Sequence, residues 1–189
     1  MIAKALNAEQ FIDQRYDLPD AGQWAELHAG EVVLLEPPDD DYGNVVRNLS
    51  QMLASYIQQH RLGYACFDLG LLAQTKPDTL LFPAACFYRT DDLFAQSDVA
   101  FTQQMPQLVI EIVSTHDRRQ QARQRSELFL ECGVESVCHI DPRQQSCDTF
   151  TASQHFQVKG EELWEHPKTL PHFQMTISDL FVLPEWWTG

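Results

Sequence analysis

The sequence predicts an α/β fold of the α+β kind, a mixed β-sheet flanked by helices, and three observations carry that expectation. Leu108-Val109-Ile110-Glu111-Ile112-Val113 is an almost continuous apolar run, the mark of a central strand covered on both faces. A helical stretch, Asp117–Cys132, and a second short strand, Ser136–Asp141, follow it, so 108–141 reads as a strand–helix–strand crossover. Ahead of that unit lie strand-like segments separated by turn residues, which pair antiparallel.

Asn7, with Gln10 three residues on, marks the start of a short helix, Ala8–Gln14. Trp24–His28 and Glu31–Glu36, joined at Ala29-Gly30, form a hairpin that Pro37-Pro38 stops, with Asp39-Asp40-Asp41 as a solvated acidic loop. Val45, Leu49, Met52 and Tyr56 recur at helical spacing, which gives an amphipathic helix over Tyr42–His60, ended by Gly63. Tyr64–Gln74 and Thr79–Tyr88 are two strands across a turn at Lys76-Pro77-Asp78, and Thr90–Gln104 is a long loop. Gly133 caps the crossover helix, and Asp141-Pro142 closes the strand after it. Cys147–Phe150 and His155–Lys159 are further strands, and Ile177–Leu183 is a last short helix before Pro184 and Trp186-Trp187, a pair suited to packing the tail or to a dimer contact. The expected organisation is one domain over residues 1–189, with 151–189 as a C-terminal extension.

Composition narrows the function. With 27 acidic and 13 basic residues the net charge is −14, and such a field repels nucleic acid unless a local basic patch overrides it. The five cysteines are odd in number and form no Cys-x-x-Cys pair, which argues against a zinc site or a disulfide framework and for reduced thiols. No apolar run approaches the ~20 residues of a membrane span, and Met1–Asp20 lacks a signal-peptide core, so the expected compartment is the cytoplasm. There is no phosphate-binding glycine loop, dinucleotide fingerprint or nucleophile elbow.

Glu111 is the residue around which chemistry is expected. A carboxylate inside an apolar strand must pair with a cation, bind a metal or face a cleft, because unpaired burial costs several kcal/mol. The bland alternative is a structural ion pair with Arg125. Arg125 shares a helix stripe with Ala122 and Phe129, an unusual inward place for arginine. Arg118, Arg119, Arg123 and Arg125 together form either a solvated, snorkelling helix face or a phosphate-facing patch beside Glu111. Asp98 is an exposed loop aspartate or a second carboxylate sharing a divalent ion with Glu111. Asp117 is placed to cap the helix, and His139 reads as a core histidine.

Pro106 to Ser114, Asp117-Arg118-Arg119, Phe129, Gly133-Val134 and Ile140-Asp141-Pro142 together resemble the Uma2 family of restriction-endonuclease-like proteins, within the PD-(D/E)XK nuclease fold. The resemblance extends back through Gly30-Glu31, Pro37-Pro38, the Tyr42–His60 helix and Pro77-Asp78-Thr79, over roughly residues 9–150. It implies a restriction-endonuclease-like sheet and an Mg²⁺-dependent DNA endonuclease site. In such a site an Asp and a Glu hold the ion, and a Lys acts on the attacking water. Carried over, the family glutamate is Glu111 and the hairpin glutamate is Glu31. The aspartate position holds Ala84, the helix lysine position Arg125, an aspartate one turn earlier Gln121, and a histidine position Tyr42. Alanine offers no oxygen to a metal, and arginine, with a pKa above ~12, cannot act as a base at neutral pH. The expectation is a degenerate nuclease site. Any residual Mg²⁺ would be held by Glu111 with Glu31 or Asp98, Arg125 would face phosphate, and catalysis would be weak or absent. The alternative is a non-catalytic nuclease-fold binding or regulatory protein acting as a homodimer. DNA, contacted weakly through Arg118, Arg119, Arg123 and Arg125, is the expected partner, and no membrane is.

Overall fold

The structure, a computed structural model, describes residues 5–90, 98–166 and 168–187. Helix α1 (Ala8–Arg15) starts at Asn7, whose side chain accepts from the Gln10 amide while Gln10 reaches back to the Asn7 amide, the expected capping box. The hairpin is β1 (Ala25–His28) with β2 (Glu31–Leu34), paired from Ala25↔Leu34 to His28↔Glu31. Helix α2 (Asp40–His60) begins earlier than the apolar spacing suggests. Asp39 is its N-cap and Asp40 and Asp41 fill its first turn, where carboxylates favour the helix dipole; the acidic run is therefore helix start, not loop. Arg61, in the left-handed region at φ 52°, ends the helix. Gly63 instead permits a close backbone approach, since a Cβ there would lie 1.9 Å from the Tyr88 carbonyl oxygen.

The two long strands expected next are four. β3 (Tyr64–Cys66) and β4 (Gly70–Gln74) are broken apart at Asp68, whose φ of 53° cannot continue a strand. β5 (Thr79–Leu81) and β6 (Ala85–Tyr88) are separated by Phe82-Pro83-Ala84, where proline lacks the amide that a ladder needs. Each break moves the chain from one sheet to another, so the single mixed sheet expected from the sequence is in fact several. Among the described residues one sheet runs β2-β1-β5-β4-β7, a second β11-β10-β9-β8-β6-β3, and a two-stranded ribbon pairs β12 with β13. Part of the expected Thr90–Gln104 loop, residues 91–97, lies outside the described residues; its later part contains β7 (Phe101–Thr102), parallel to β4.

The crossover is present. β8 (Leu108–Ile112) and β9 (Ser136–Asp141) are parallel neighbours, joined by α3 (His116–Glu131) and the positive-φ Gly133 at its end. Thr115, not Asp117, is the N-cap: its side chain accepts from the Arg118 amide, and Asp117 sits in the first turn. β10 (Ser146–Phe150) and β11 (His155–Lys159) extend the sheet antiparallel. β12 (Leu163–His166) and β13 (Leu170–Thr176) have no counterpart among the expected elements, because Pro171 and the positive φ of His172 interrupt the run. The short helix expected over Ile177–Leu183 is a 3-10 turn, Ile177–Phe181, and a second such turn, Glu185–Trp187, follows it.

Alternation along β8 sets up the site. Leu108, Ile110 and Ile112 face a core shared with Val45, Leu49 and Leu53 of α2 and with Trp164, Leu170, Ile177 and Leu180 from the C-terminal part of the chain. Val109 faces the opposite core, with Phe129 of α3 and Leu71 and Leu81 of the first sheet. By the two-residue period Glu111 shares the side of Val109. It points between the two sheets, beneath α3.

Candidate active site

Two carboxylates and one arginine meet in the space between the sheets. Glu26, in the middle of β1, alternates with Ala25 and Leu27, which belong to a core packed under α1. Its side chain therefore turns inward toward α3. Arg125 comes down from α3 on the stripe that also carries Phe129, whose ring lies 5.9 Å from the guanidinium carbon. Arg125 Nη1 donates to Glu26 Oε2 at 2.6 Å and Nη2 to Glu26 Oε1 at 3.0 Å, a two-pronged pair. Arg125 Nε and Nη2 also donate to Glu111 Oε1, at 3.0 and 2.7 Å. Glu26 is 1% exposed, Glu111 4% and Arg125 8%, so water screens this triad little.

The two carboxylates are not equivalent. Glu26 also accepts from the Phe82 amide at 2.8 Å and shares a 3.0 Å contact with His28 Nε2. Burial alone would push its pKa up, but the Arg125 charge and these bonds hold it down at about 2. Among the described residues Glu111 is hydrogen-bonded by Arg125 alone; burial raises its pKa, and the neighbouring Glu26 charge adds to the rise, against the pull of Arg125 and, less, of Arg118. Arg125 loses from burial but gains more from the two carboxylates, so its proton is held more tightly than usual. Glu26 is thus the ionised member and Glu111 the one whose charge is disfavoured.

Ala84 directly precedes β6. The ladder of β6 with β8 ends at Ala85↔Ile110, and Ala84, just outside it, packs with Ile110 and Ile112 and borders the same cleft as Glu26. The position that the resemblance gives to a metal-holding aspartate carries a methyl group on the wall of the cleft that Glu26 also lines. The residues present do not fit a divalent ion. Glu26 has both oxygens committed to Arg125, Ala84 offers none, and the guanidinium already supplies the positive charge between the carboxylates. Among the described residues no group of three His, Cys, Asp or Glu is arranged to hold a metal.

The other residues singled out in the sequence are dispersed. Glu31 is exposed on β2, in register with His28, and the hairpin carboxylate that reaches Glu111's arginine is Glu26. Asp98 is exposed in the segment before β7, a strand of the other sheet. The arginines of α3 do not form one surface. Arg119 Nη1 donates to the carbonyls of Val113 and Ser114, both at 2.9 Å, and lies 3.7 Å from Asp141. Arg123 is exposed and paired with Glu127 one turn on. Arg118 is buried beside the rings of Trp24 and Tyr42, 5.4 and 5.6 Å from their centroids. His139 is buried at hydrogen-bond distance from Ser126, 2.9 Å, and burial, with Arg125 nearby, lowers its pKa to about 4. Sequence reasoning missed Glu26; the signal was a carboxylate at the centre of a strand whose neighbours, Ala25 and Leu27, are both apolar.

A cleft of about 400 Å³ opens beside the triad, lined by Trp24, Glu26, Tyr42, Phe82, Ala84 and Arg118 among others. A second hollow of about 470 Å³, lined by His28, Gln121, Gln124 and Glu131, lies on the far side of Arg125.

The family model for Uma2, described as a putative restriction endonuclease, matches residues 9–178. Among solved structures, the crystal structure of a putative nuclease belonging to DUF820 from Anabaena variabilis superposes with a TM-score of 0.73 at 17% identity, covering 90% of this chain and 96% of that one. At that identity the likeness shows a shared fold. No curated protein matches.

Proposed function

Because the chain belongs to the Uma2 family, we propose that it is a nuclease-fold protein whose catalytic centre has been closed by an internal ion pair, leaving a binding rather than a cleaving protein. One observation carries the reading: the Arg125 guanidinium bonds both Glu26 and Glu111 where the resemblance implies a metal ion. A nuclease needs a cation that accepts phosphate oxygens and an acid–base group that moves a proton. Here the cation is covalently part of α3 and saturated by carboxylates, and it holds its proton too tightly to act as a base. Metal-dependent DNA cleavage, the other reading, requires Glu26 to be released from Arg125, since both of its oxygens are bonded there while Glu111 is held through Oε1 alone.

Broad DNA binding has little support, since Arg119 and Arg125 are occupied internally and the net charge is −14. Self-association has more. Val182, Leu183 and Trp186 are exposed near the C-terminal end, and the Trp186 ring lies tilted against Trp187 with centroids 5.6 Å apart. The deciding experiment is incubation of supercoiled plasmid with the purified protein and Mg²⁺ or Mn²⁺. No nicking is expected, and nicking that disappears in Glu111→Ala overturns the reading. Light scattering after gel filtration tests the homodimer; a monomer mass removes it.

A further inference from the structure

Arg118 is a buried cation outside the triad's hydrogen bonds, although its charge also pulls down the pKa of Glu111. It is 8% exposed, yet its Nε has no hydrogen-bond partner, and no carboxylate among the described residues pairs with its guanidinium. A buried, unpaired guanidinium is costly unless a negative group meets it. Its neighbours are the faces of Trp24 and Tyr42, which stand edge to face at 5.6 Å. All three border the 400 Å³ cleft, whose size suits a small molecule rather than a duplex. Tyr42, half-buried, borders the same cleft. Burial raises its pKa to about 12, against the pull of Arg118, so at neutral pH it keeps a proton to donate. The other basic wall residue, Arg15, is engaged: it donates to the Gly22 carbonyl at 2.7 Å and pairs with Asp68 at 3.2 Å. Asp20 is exposed on the same rim and Glu26 is neutralised by Arg125, so anionic charge entering the cleft is received at Arg118.

We propose that this cleft binds a small organic anion, a single phosphate or carboxylate on a planar ring, with the anionic group on Arg118 and the Tyr42 hydroxyl and the ring against Trp24. This deepens the closed-site reading, since it gives the protein a ligand that needs no metal. Phosphate and carboxylate share the chemistry that a guanidinium recognises, and the ring adds aromatic contact area.

The test is calorimetric titration of the full chain in EDTA with phenyl phosphate, benzoate and inorganic phosphate. Saturable binding of phenyl phosphate or benzoate is expected, about 10-fold tighter than that of inorganic phosphate. The tighter of the two identifies the anionic group. Arg118→Gln should weaken binding at least 10-fold with an unchanged circular dichroism spectrum. Tyr42→Phe, which removes one oxygen and keeps the packing, should weaken it several-fold and remains informative if Arg118→Gln fails to fold. No heat with either aromatic anion up to about 10 mM overturns the proposal. So does equal binding of inorganic phosphate, or undiminished binding in a folded Arg118→Gln protein. The experiment contains neither metal nor DNA, so its failure leaves the plasmid result standing, and plasmid nicking leaves the titration standing.

Discussion

Replacing Arg125 by methionine isolates what the triad contributes. Methionine approximates the aliphatic stem and can still pack on Phe129, so the main loss is the guanidinium and its four hydrogen bonds to Glu26 and Glu111. Two carboxylates, 1% and 4% exposed, are then left without their cation. Removing one partner of a buried ion pair costs about 3–5 kcal/mol. That is a large part of the 5–15 kcal/mol that holds a typical domain together, and it corresponds to a Tm drop of roughly 10 °C for a chain of this size. The pH dependence should change sign with it. In the wild type Glu26 sits at about 2, below its ordinary value of 4.5, so its contribution is complete above pH 4.5 and is lost as pH falls toward 2. Without Arg125 both carboxylates prefer the protonated form, their folded pKa values rise, and the variant regains stability as pH falls from neutral toward 4.5. Urea unfolding followed by circular dichroism at pH 7.5 and pH 5.5 reads both effects. Adding Glu26→Gln and Glu111→Gln to Arg125→Met should recover much of the loss. A single variant within 1 kcal/mol of wild type at both pH values would refute the idea that this arginine neutralises two buried charges.

The carboxylates themselves should differ: Glu26→Gln is expected to cost about 3 kcal/mol, the worth of its depressed pKa, whereas Glu111→Gln, which removes a disfavoured charge, should stay within about 1 kcal/mol of wild type in urea unfolding. Combining Ala84→Asp with Arg125→Lys adds a carboxylate to the cleft wall that Glu26 lines and frees carboxylate oxygens, so Mn²⁺ binding should appear calorimetrically in the double variant, with none in the wild type; silence in both removes position 84 as a metal-holding position. His139, lowered from 6.5 to about 4, carries no penalty above pH 6.5 and destabilises the fold progressively as pH falls from 6.5 to 4, so His139→Gln should flatten the decline in unfolding free energy over that window by up to about 3 kcal/mol in urea unfolding; an unchanged slope sinks the assignment.

How much of the fold is legible in the sequence depends on the range over which each feature is determined. The crossover is legible because its signals are local: an apolar run for β8, a glycine at φ 97° after α3, a proline after β9. The Asn7–Gln10 capping box is legible for the same reason. The division into separate sheets is not, because it hangs on single residues, Asp68 and Pro83, inside segments whose apolar content is continuous across the break. The β12–β13 ribbon is hidden because Pro171 lies inside it and proline argues against a strand.

The site divides in the same way. Glu111 stands out because its strand neighbours contradict it, and the pairing with Arg125 follows from an arginine on an inward helix stripe. Glu26 lies 99 residues from Arg125, and its apolar neighbours Ala25 and Leu27 set it apart from Glu31, exposed five positions later, without naming its partner. Only the pairing of β1 with β5, through Leu27↔Leu80, brings Glu26 under α3 and within reach of the Phe82 amide. The neighbours of Glu26 and Glu31 tell the two apart locally, but tertiary structure alone shows which of them meets Arg125. The consequence goes beyond one residue. With Glu31, Glu111 would have a distant second ligand and an arginine free to face phosphate. With Glu26, the same arginine is held at both ends of its guanidinium, and among the described residues the buried cation left to meet a ligand in the cleft is Arg118.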